Sequence, residues 1–122
     1  MKSPYRGWRR LVGAARYSWQ GLQAAWQGEA AFRQEVWVLA VLVPVAIWLA
    51  CTPLEFVLLV GVWLWVIVVE LLNSAIETLV DRIDADYHPL AGRCKDMASA
   101  AVLLSIVVAT MVWIAMIWEK WT

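Results

Sequence analysis

Three long runs of apolar residues constrain the fold of this chain more than any other feature of its sequence. Val36–Cys51 and Leu54–Val69 contain Glu55 as their only charged residue, and Met97–Trp118 contains none. A helix needs about 20 apolar residues to cross the hydrocarbon core of a membrane. The third run is long enough alone, and the first two reach this length with their flanking residues. The sequence therefore predicts an all-α membrane protein with three transmembrane helices.

The positions of the Lys and Arg residues predict the orientation of these helices. Cytoplasmic loops of membrane proteins carry an excess of both residues. All of the ten except Lys120 precede the first run or lie between the second and third. We therefore expect an inner-membrane protein with a cytoplasmic N-terminus and a periplasmic C-terminus, anchored at its outer interface by Trp48, Trp118 and Trp121. The formal net charge of +0 provides no field that would favour nucleic acid as a partner.

A helix of another kind is predicted at residues 8–27. Its Trp and Leu residues form one stripe and its Arg and Gln residues the opposite face, which is the pattern of a helix lying in the membrane interface. The same pattern fits a simple anchor without catalytic duty. The chain thus forms a single domain, 1–122, in which we expect transmembrane helices at about 30–51, 54–82 and 96–119.

Polar residues share one face of the second transmembrane helix where its apolar run ends. Glu70, Asn73, Ser74, Glu77 and Asp81 fall within a narrow sector of the helical wheel. An acid at the depth of Glu70 is costly unless it faces protein, water or a partner. We hypothesise that Glu70 accepts the proton of a lipid hydroxyl and that Glu77 holds a cation for a phosphate donor. The structural alternative is that these acids pair with basic residues.

Glu29 is a second candidate acid, at the junction between the interfacial helix and the first span. Together with Glu77 it offers two carboxylates, which suit Mg²⁺ bound partly by water and phosphate. A helical ion pair with Arg33 is the alternative. Cys51 and Cys94 have no zinc or redox spacing and are interpreted as inert thiols.

The connection before the third span is rich in polar residues. Lys95 and Arg93 are expected to contact phosphates, and Asp96 either positions Lys95 or caps the following helix. His88 is interpreted as a solvated loop residue. Within the span, the small residues Ala101, Ser105 and Ala109 predict close helix packing. The chain has neither a G-x-x-x-x-G-K-[ST] loop nor a protein-kinase signature, so a nucleotide would have to bind in another way.

Several segments resemble the prokaryotic integral-membrane diacylglycerol kinase family. They are Glu70–Glu77, Val80–Arg82 and Gly92–Ala101, together with the N-terminal segments Ala15–Leu22 and Glu29–Glu35. The resemblance covers essentially the whole chain. Its most specific part is E-x-x-N-S-x-x-E followed by the Lys95-Asp96 pair. Pro89 and Cys94 depart from the commonest pattern, but they replace none of the proposed catalytic groups.

The resemblance implies an ATP:diacylglycerol phosphotransferase that forms a homotrimer with active sites between subunits. It implies Glu70 as the catalytic base and Glu29 with Glu77 as ligands of Mg²⁺. By the same resemblance, ATP would contact both metal ligands and Arg10, Tyr17, Asp86, Tyr87, His88, Lys95 and Asp96. The lipid would contact Glu70 and Arg10, Ser18, Trp19, Ala31, Phe32, Arg33, Gln34, Glu35, Asn73 and Ser99.

Three alternatives remain open at this point. The nearest is the same chemistry on a polyprenol, as in the undecaprenol kinases of this family. A small proton-coupled transporter would use Glu70 as its proton site, but this requires the acid near mid-membrane. A purely structural membrane protein would leave the acidic face and the Lys95-Asp96 pair without a purpose.

Overall fold

The computed structural model describes residues 7–83 and 88–122, which form four α-helices. These are α1 (Trp8–Gly28), α2 (Ala30–Leu49), α3 (Pro53–Ile83) and α4 (Pro89–Trp121). The last three are long and apolar enough to cross a membrane. The predicted all-α class with three membrane-length helices is therefore confirmed. Asp86 and Tyr87, which the resemblance assigns to ATP, lie outside the described residues.

Helix α3 is the centre of the structure, because it packs against both α2 and α4. Two different apolar clusters lie along it. Near the middle of α3, Ile67 packs with Ala25 and Phe32. Towards the N-terminal end of α3, Leu59 packs with Ala46 and Leu49 and with side chains from α4. The polar face of α3 lies beyond the first of these clusters.

Two tryptophans add polar contacts between the packed helices. The Nε1 atom of Trp63 in α3 donates to the backbone oxygen of Glu35 in α2 at 2.8 Å. The Nε1 atom of Trp113 in α4 donates to the backbone oxygen of Leu59 in α3 at 3.0 Å. An indole N–H buried between helices needs such an acceptor. The first of these bonds fixes α2 beside α3 close to the acidic residues.

The tight turn between α2 and α3 is an N-terminal cap of α3. Thr52 Oγ1 accepts from the backbone N–H of Glu55 at 3.2 Å, and Glu55 Oε1 accepts from that of Cys51 at 3.2 Å. This arrangement resembles a capping box, and Pro53 occupies the first helical position, where no N–H is needed. Lys120 Nζ of α4 lies 2.6 Å from Glu55 Oε1. The turn therefore ties three helices together at this end.

Helix α4 begins earlier than the apolar run suggests. His88 is its N-cap residue, and His88 Nδ1 accepts from the backbone N–H of Leu90 at 3.0 Å. The expectation that Asp96 caps this helix is therefore wrong, since Asp96 lies two turns inside it. The predicted small-residue stripe is also shifted. Ala98 is buried together with Ser105 and Ala109, whereas Ala101 is exposed.

Candidate active site

Glu29 is the single extended residue that joins α1 to α2, with φ −123° and ψ 106°. Its backbone N–H donates to Ala25 O at 2.9 Å and its backbone oxygen accepts from Arg33 N at 3.2 Å. The Arg33 guanidinium donates to the carbonyl of Trp26 at 2.7 Å. A cation is favourable at the C-terminal end of a helix, where carbonyls lack partners. Arg33 therefore stabilises the corner that positions Glu29.

The alternative role of Glu29, a helical ion pair with Arg33, is not formed, because Arg33 donates to these carbonyls. Within residues 7–83 and 88–122, the ion pairs are Lys95–Asp81 and Lys120–Glu55. Of the acids on the polar face of α3, Asp81 alone has a basic partner in the part of the chain that the structure describes. Structural pairing with basic residues accordingly does not account for Glu70 and Glu77.

The polar face of α3 points into the protein. Glu70, Asn73 and Ser74 are 5%, 8% and 7% exposed, Glu77 is half-buried and Asp81 is exposed. Asn73 Nδ2 donates to Glu77 Oε1 at 3.3 Å. The exposure of this face therefore increases from the buried Glu70 to the solvent-exposed Asp81, over about 16 Å of helix at 1.5 Å per residue.

Three carboxylates lie around Glu70, from the α1–α2 junction, from α2 and from α3 itself. Glu29 and Glu77 lie close enough to interact with Glu70 electrostatically, and Glu70 interacts in the same way with Glu35 of α2. Like charges at partly buried positions repel one another, so a bound cation would be favourable at such a cluster. The described residues contain no group of three or more side chains arranged as a metal site. A cation here would therefore depend on few protein carboxylates and on external oxygen ligands.

Three buried polar atoms around this cluster have no hydrogen-bond partner among the described residues. They are Glu35 Oε1, Asn73 Oδ1 and Ser74 Oγ. Buried polar groups in native proteins are almost always hydrogen-bonded to protein or water. These atoms therefore have unused hydrogen-bonding capacity close to the place where the acids meet.

Two open grooves of about 520 Å³ each adjoin the cluster. The first lies between the end of α1 and the α3 face, and it contains Glu29, Ser74 and Arg82. The second is apolar and lies between α1 and α2. It is lined by Trp19, Leu22, Gln23, Trp26, Gln27, Phe32 and Val36. The first groove thus presents the charged side chains of Glu29 and Arg82, whereas the lining of the second contains no charged residue.

Lys95 of α4 reaches the acidic face from the other side. Its Nζ atom lies 2.6 Å from Asp81 Oδ1, and the two side chains are 40% and 64% exposed. Lys95 also interacts electrostatically with Glu77. The prediction that Asp96 positions Lys95 is replaced by this contact with Asp81, since Asp96 is exposed.

The residues predicted on α1 lie apart from the carboxylates of their own chain. Arg10 precedes Glu29 by 19 positions of an uninterrupted helix, or about 28 Å along its axis. Tyr17 is 39% exposed and Trp19 is 62% exposed. Ser18 is exposed, and its Oγ donates to Ala14 O at 2.9 Å. Only the C-terminal half of α1 borders the cluster.

The other predicted residues are divided between packing, capping and surface positions. Phe32 is 5% exposed and belongs to the apolar cluster with Ala25 and Ile67. His88 uses its Nδ1 atom to cap α4, a role that the following proline at the first helical position could have indicated. Exposed positions are occupied by Ala31, Gln34 and Ser99. Sequence reasoning missed the orphaned hydroxyl of Ser74, because no pattern distinguishes it from a packed serine.

Comparisons with known proteins identify relatives of this chain along most of its length. A profile of the family described as prokaryotic diacylglycerol kinase matches residues 16–117. A diacylglycerol kinase of Escherichia coli is 51% identical over 113 residues, which are 93% of each chain. One of Pseudomonas aeruginosa is 46% identical, over 91% of this chain and 93% of the relative. One of Helicobacter pylori is 44% identical, over 88% of this chain and 84% of the relative.

Proposed function

This chain belongs to the prokaryotic diacylglycerol kinase family, and from that premise we propose that it transfers the γ-phosphate of ATP to the free hydroxyl of diacylglycerol. The product is phosphatidic acid, and ADP leaves. The observation that carries this proposal is the convergence of Glu29, Glu70 and Glu77 on one inward-facing site. A cluster of acids with free hydrogen-bonding atoms beside it is suited to activating a hydroxyl and holding a cation–phosphate complex.

Glu70 is the proposed general base. It is the most deeply buried of the polar residues on α3, and the apolar run of that helix ends immediately before it. A lipid alcohol keeps its hydroxyl at the boundary of the hydrocarbon core, so Glu70 lies at the right depth to accept its proton. Proton transfer by a positioned carboxylate contributes typically 10²–10⁴-fold to a rate.

Glu29 and Glu77 fit Mg²⁺ as ligands. Both offer carboxylate oxygens, neither has a basic partner among the described residues, and Mg²⁺ commonly uses one or two carboxylates with substrate phosphates. The ion would supply charge neutralisation for the transferring phosphoryl group. Asn73 holds the Glu77 carboxylate by its Nδ2 atom and leaves its Oδ1 atom to the lipid.

The two grooves support separate places for the two substrates. The apolar groove beside Trp19 and Phe32 suits the acyl chains and glycerol backbone. The remaining proposed lipid contacts are Arg10, Ser18, Ala31, Arg33, Gln34, Glu35 and Ser99. Lys95, held by Asp81, suits the phosphates of ATP. The remaining proposed nucleotide contacts are Arg10, Tyr17, Asp86, Tyr87, His88 and Asp96.

A homotrimer with sites between subunits is part of the proposal. Arg10 is separated from Glu29 of its own chain by about 28 Å along α1, which is far beyond the reach of an arginine side chain. A neighbouring copy could bring its Arg10 and Tyr17 to the cluster. We also propose an inner-membrane location, with the acidic cluster on the cytoplasmic side where ATP is available and the Thr52 turn on the periplasmic side.

The test is transfer of label from [γ-³²P]ATP in mixed micelles containing the full-length chain. Dioleoylglycerol and undecaprenol are offered separately and in competition, and the labelled lipids are separated by chromatography. We expect labelled phosphatidic acid and a higher kcat/KM for the diacylglycerol. Exclusive labelling of undecaprenol would replace the substrate, and failure to label either alcohol would overturn the kinase assignment.

A further inference from the structure

Ser74 differs from the other buried hydroxyl residue of these helices. Ser105 is 5% exposed, and its Oγ donates to the carbonyl of Val102 at 2.7 Å. Thr78 and Thr110 likewise donate to a carbonyl one turn back at 2.8 Å. Ser74 is 7% exposed, and its Oγ has no partner in the described part of the chain. Serine and threonine hydroxyls in helices ordinarily donate to a backbone carbonyl of the preceding turn. Ser74 Oγ lacks the hydrogen bond of this kind that Thr78, Ser105 and Thr110 make.

The position of Ser74 places this free donor between the two functional acids of α3. It follows Glu70 by four residues and precedes Glu77 by three, which is about 6 Å and about 4.5 Å along the axis. It lines the same groove as Glu29. The other hydroxyl of that groove, on Thr78, is already used within its own helix. Ser74 is therefore the free hydroxyl donor that the groove offers.

A neutral donor suits this point because the site is dense in charged groups. Glu29, Glu70 and Glu77 all repel an entering phosphate, and the nearby cations are Arg82, which lines the same groove, and Lys95, which is held further along the face by Asp81. Phosphoryl transfer depends on positioning and on stabilising charge that spreads over the equatorial oxygens. A fixed neutral donor stabilises such oxygens without needing to be reoriented during the reaction.

We propose that Ser74 Oγ donates a hydrogen bond to the phosphoryl group while it passes from ATP to the lipid hydroxyl. This inference rests on the proposed kinase function and adds to it a phosphoryl-binding residue. The transferring phosphoryl group lies between the base, Glu70, and the cation ligand, Glu77. Ser74 is the hydroxyl residue between these two acids along α3. The bond is made most strongly in the transition state, so its loss lowers kcat more than it raises KM.

The variants Ser74→Ala and Ser74→Cys test this role, with Ser105→Ala as the matched control. Alanine removes the hydroxyl and favours helix, and cysteine keeps similar volume with a weak donor. We expect both Ser74 variants to lose about 10²-fold in kcat with KM for ATP changed by less than about twofold. Ser105→Ala should retain the parent kcat. Full activity of Ser74→Cys would mean that the residue only fills space, and it would overturn the inference.

Ligand binding provides a readout that does not depend on turnover. Tryptophan fluorescence is used to titrate the full-length protein with MgADP alone and with MgADP plus vanadate, which imitates the transferring phosphoryl group. We expect Ser74→Ala to weaken the vanadate complex at least about tenfold and to leave MgADP affinity unchanged. Equal affinities in Ser74→Ala and Ser105→Ala would overturn the role of Ser74 while a kinase-active parent protein keeps the proposed function intact. A parent protein that labels no lipid would overturn both.

Discussion

Asn73 Nδ2 donates a hydrogen bond of 3.3 Å to Glu77 Oε1, one turn further along α3. Asn73 is 8% exposed, so this bond is made in a region that excludes most water. It fixes one oxygen of the carboxylate that we propose as a ligand of Mg²⁺. Residues that orient a metal ligand in this way affect metal affinity although they do not touch the metal.

Replacing Asn73 with Ala should therefore change the requirement for Mg²⁺. The Glu77 carboxylate loses its fixed orientation, and loss of such a partner typically costs 10–100-fold in metal affinity. We expect the half-saturating Mg²⁺ concentration to rise at least about tenfold. The measurement is a Mg²⁺ titration of lipid phosphorylation at constant MgATP. Thr110→Ala on α4 is the control, and a titration of Asn73→Ala that overlays this control would refute the prediction.

Glu77→Gln should raise the Mg²⁺ requirement more steeply than Asn73→Ala, because it removes a ligand charge. If Asn73 acts through Glu77, the effects of the two substitutions are not additive. The double variant should then match Glu77→Gln alone. Direct binding of Mn²⁺, followed by electron paramagnetic resonance, checks this without relying on turnover. Additive losses would show that Asn73 acts independently of the Glu77 carboxylate.

Glu70→Gln should abolish most activity while preserving the structure. The amide has the same shape but cannot accept the lipid proton, so kcat should fall by at least about 10²-fold. The measurement is turnover in mixed micelles, together with helicity and thermal unfolding of the same preparation. Glu119→Gln, an acid-to-amide change near the end of α4, is the matched control. Parent-like turnover in folded Glu70→Gln would remove it as the base.

The helices and the acidic face were predictable because both depend on short-range periodicity. Apolar runs of about 20 residues identify the spans. A rotation of 100° per residue places Glu70, Asn73 and Glu77 on one side of α3. Burial of Glu70 and Asn73 agrees with this wheel. These features require no knowledge of which helix packs against which.

The contacts that could not be predicted join residues distant in sequence or depend on one rotamer. Lys95 is bound by Asp81 across the α3–α4 connection, whereas sequence proximity favoured Asp96. Hydropathy located only the apolar part of α4, so the start of this helix at His88-Pro89 was missed. The Arg33 guanidinium donates to carbonyls at the end of α1 and makes no ion pair with its neighbour Glu29. Which of these partners it reaches depends on the angle between the two helices.

Asp81→Asn tests whether the contact with Lys95 positions that lysine for ATP. Both side chains are substantially exposed, and exposed ion pairs contribute little to stability, so we expect thermal unfolding to stay near the parent value. KM for ATP should rise several-fold, with a smaller change in kcat. Raising the ionic strength should increase KM more in the parent protein than in Asp81→Asn, because salt screens the pair only where it exists. Identical salt dependence in both proteins would argue against a positioning role.

Thr52→Ala tests the opposite end of the molecule, where stability and catalysis should separate. Its Oγ1 atom accepts from the backbone N–H of Glu55 at the start of α3, and loss of such a cap typically costs about 1 kcal/mol. We expect the free energy of unfolding in SDS titrations to fall by about this amount, with kcat unchanged because the acidic cluster lies at the other end of α3. Thr52→Ser keeps the acceptor and should retain the parent stability. Equal unfolding of the alanine and serine variants would show that the cap contributes nothing, and lost turnover in folded Thr52→Ala would show that the turn is coupled to the site.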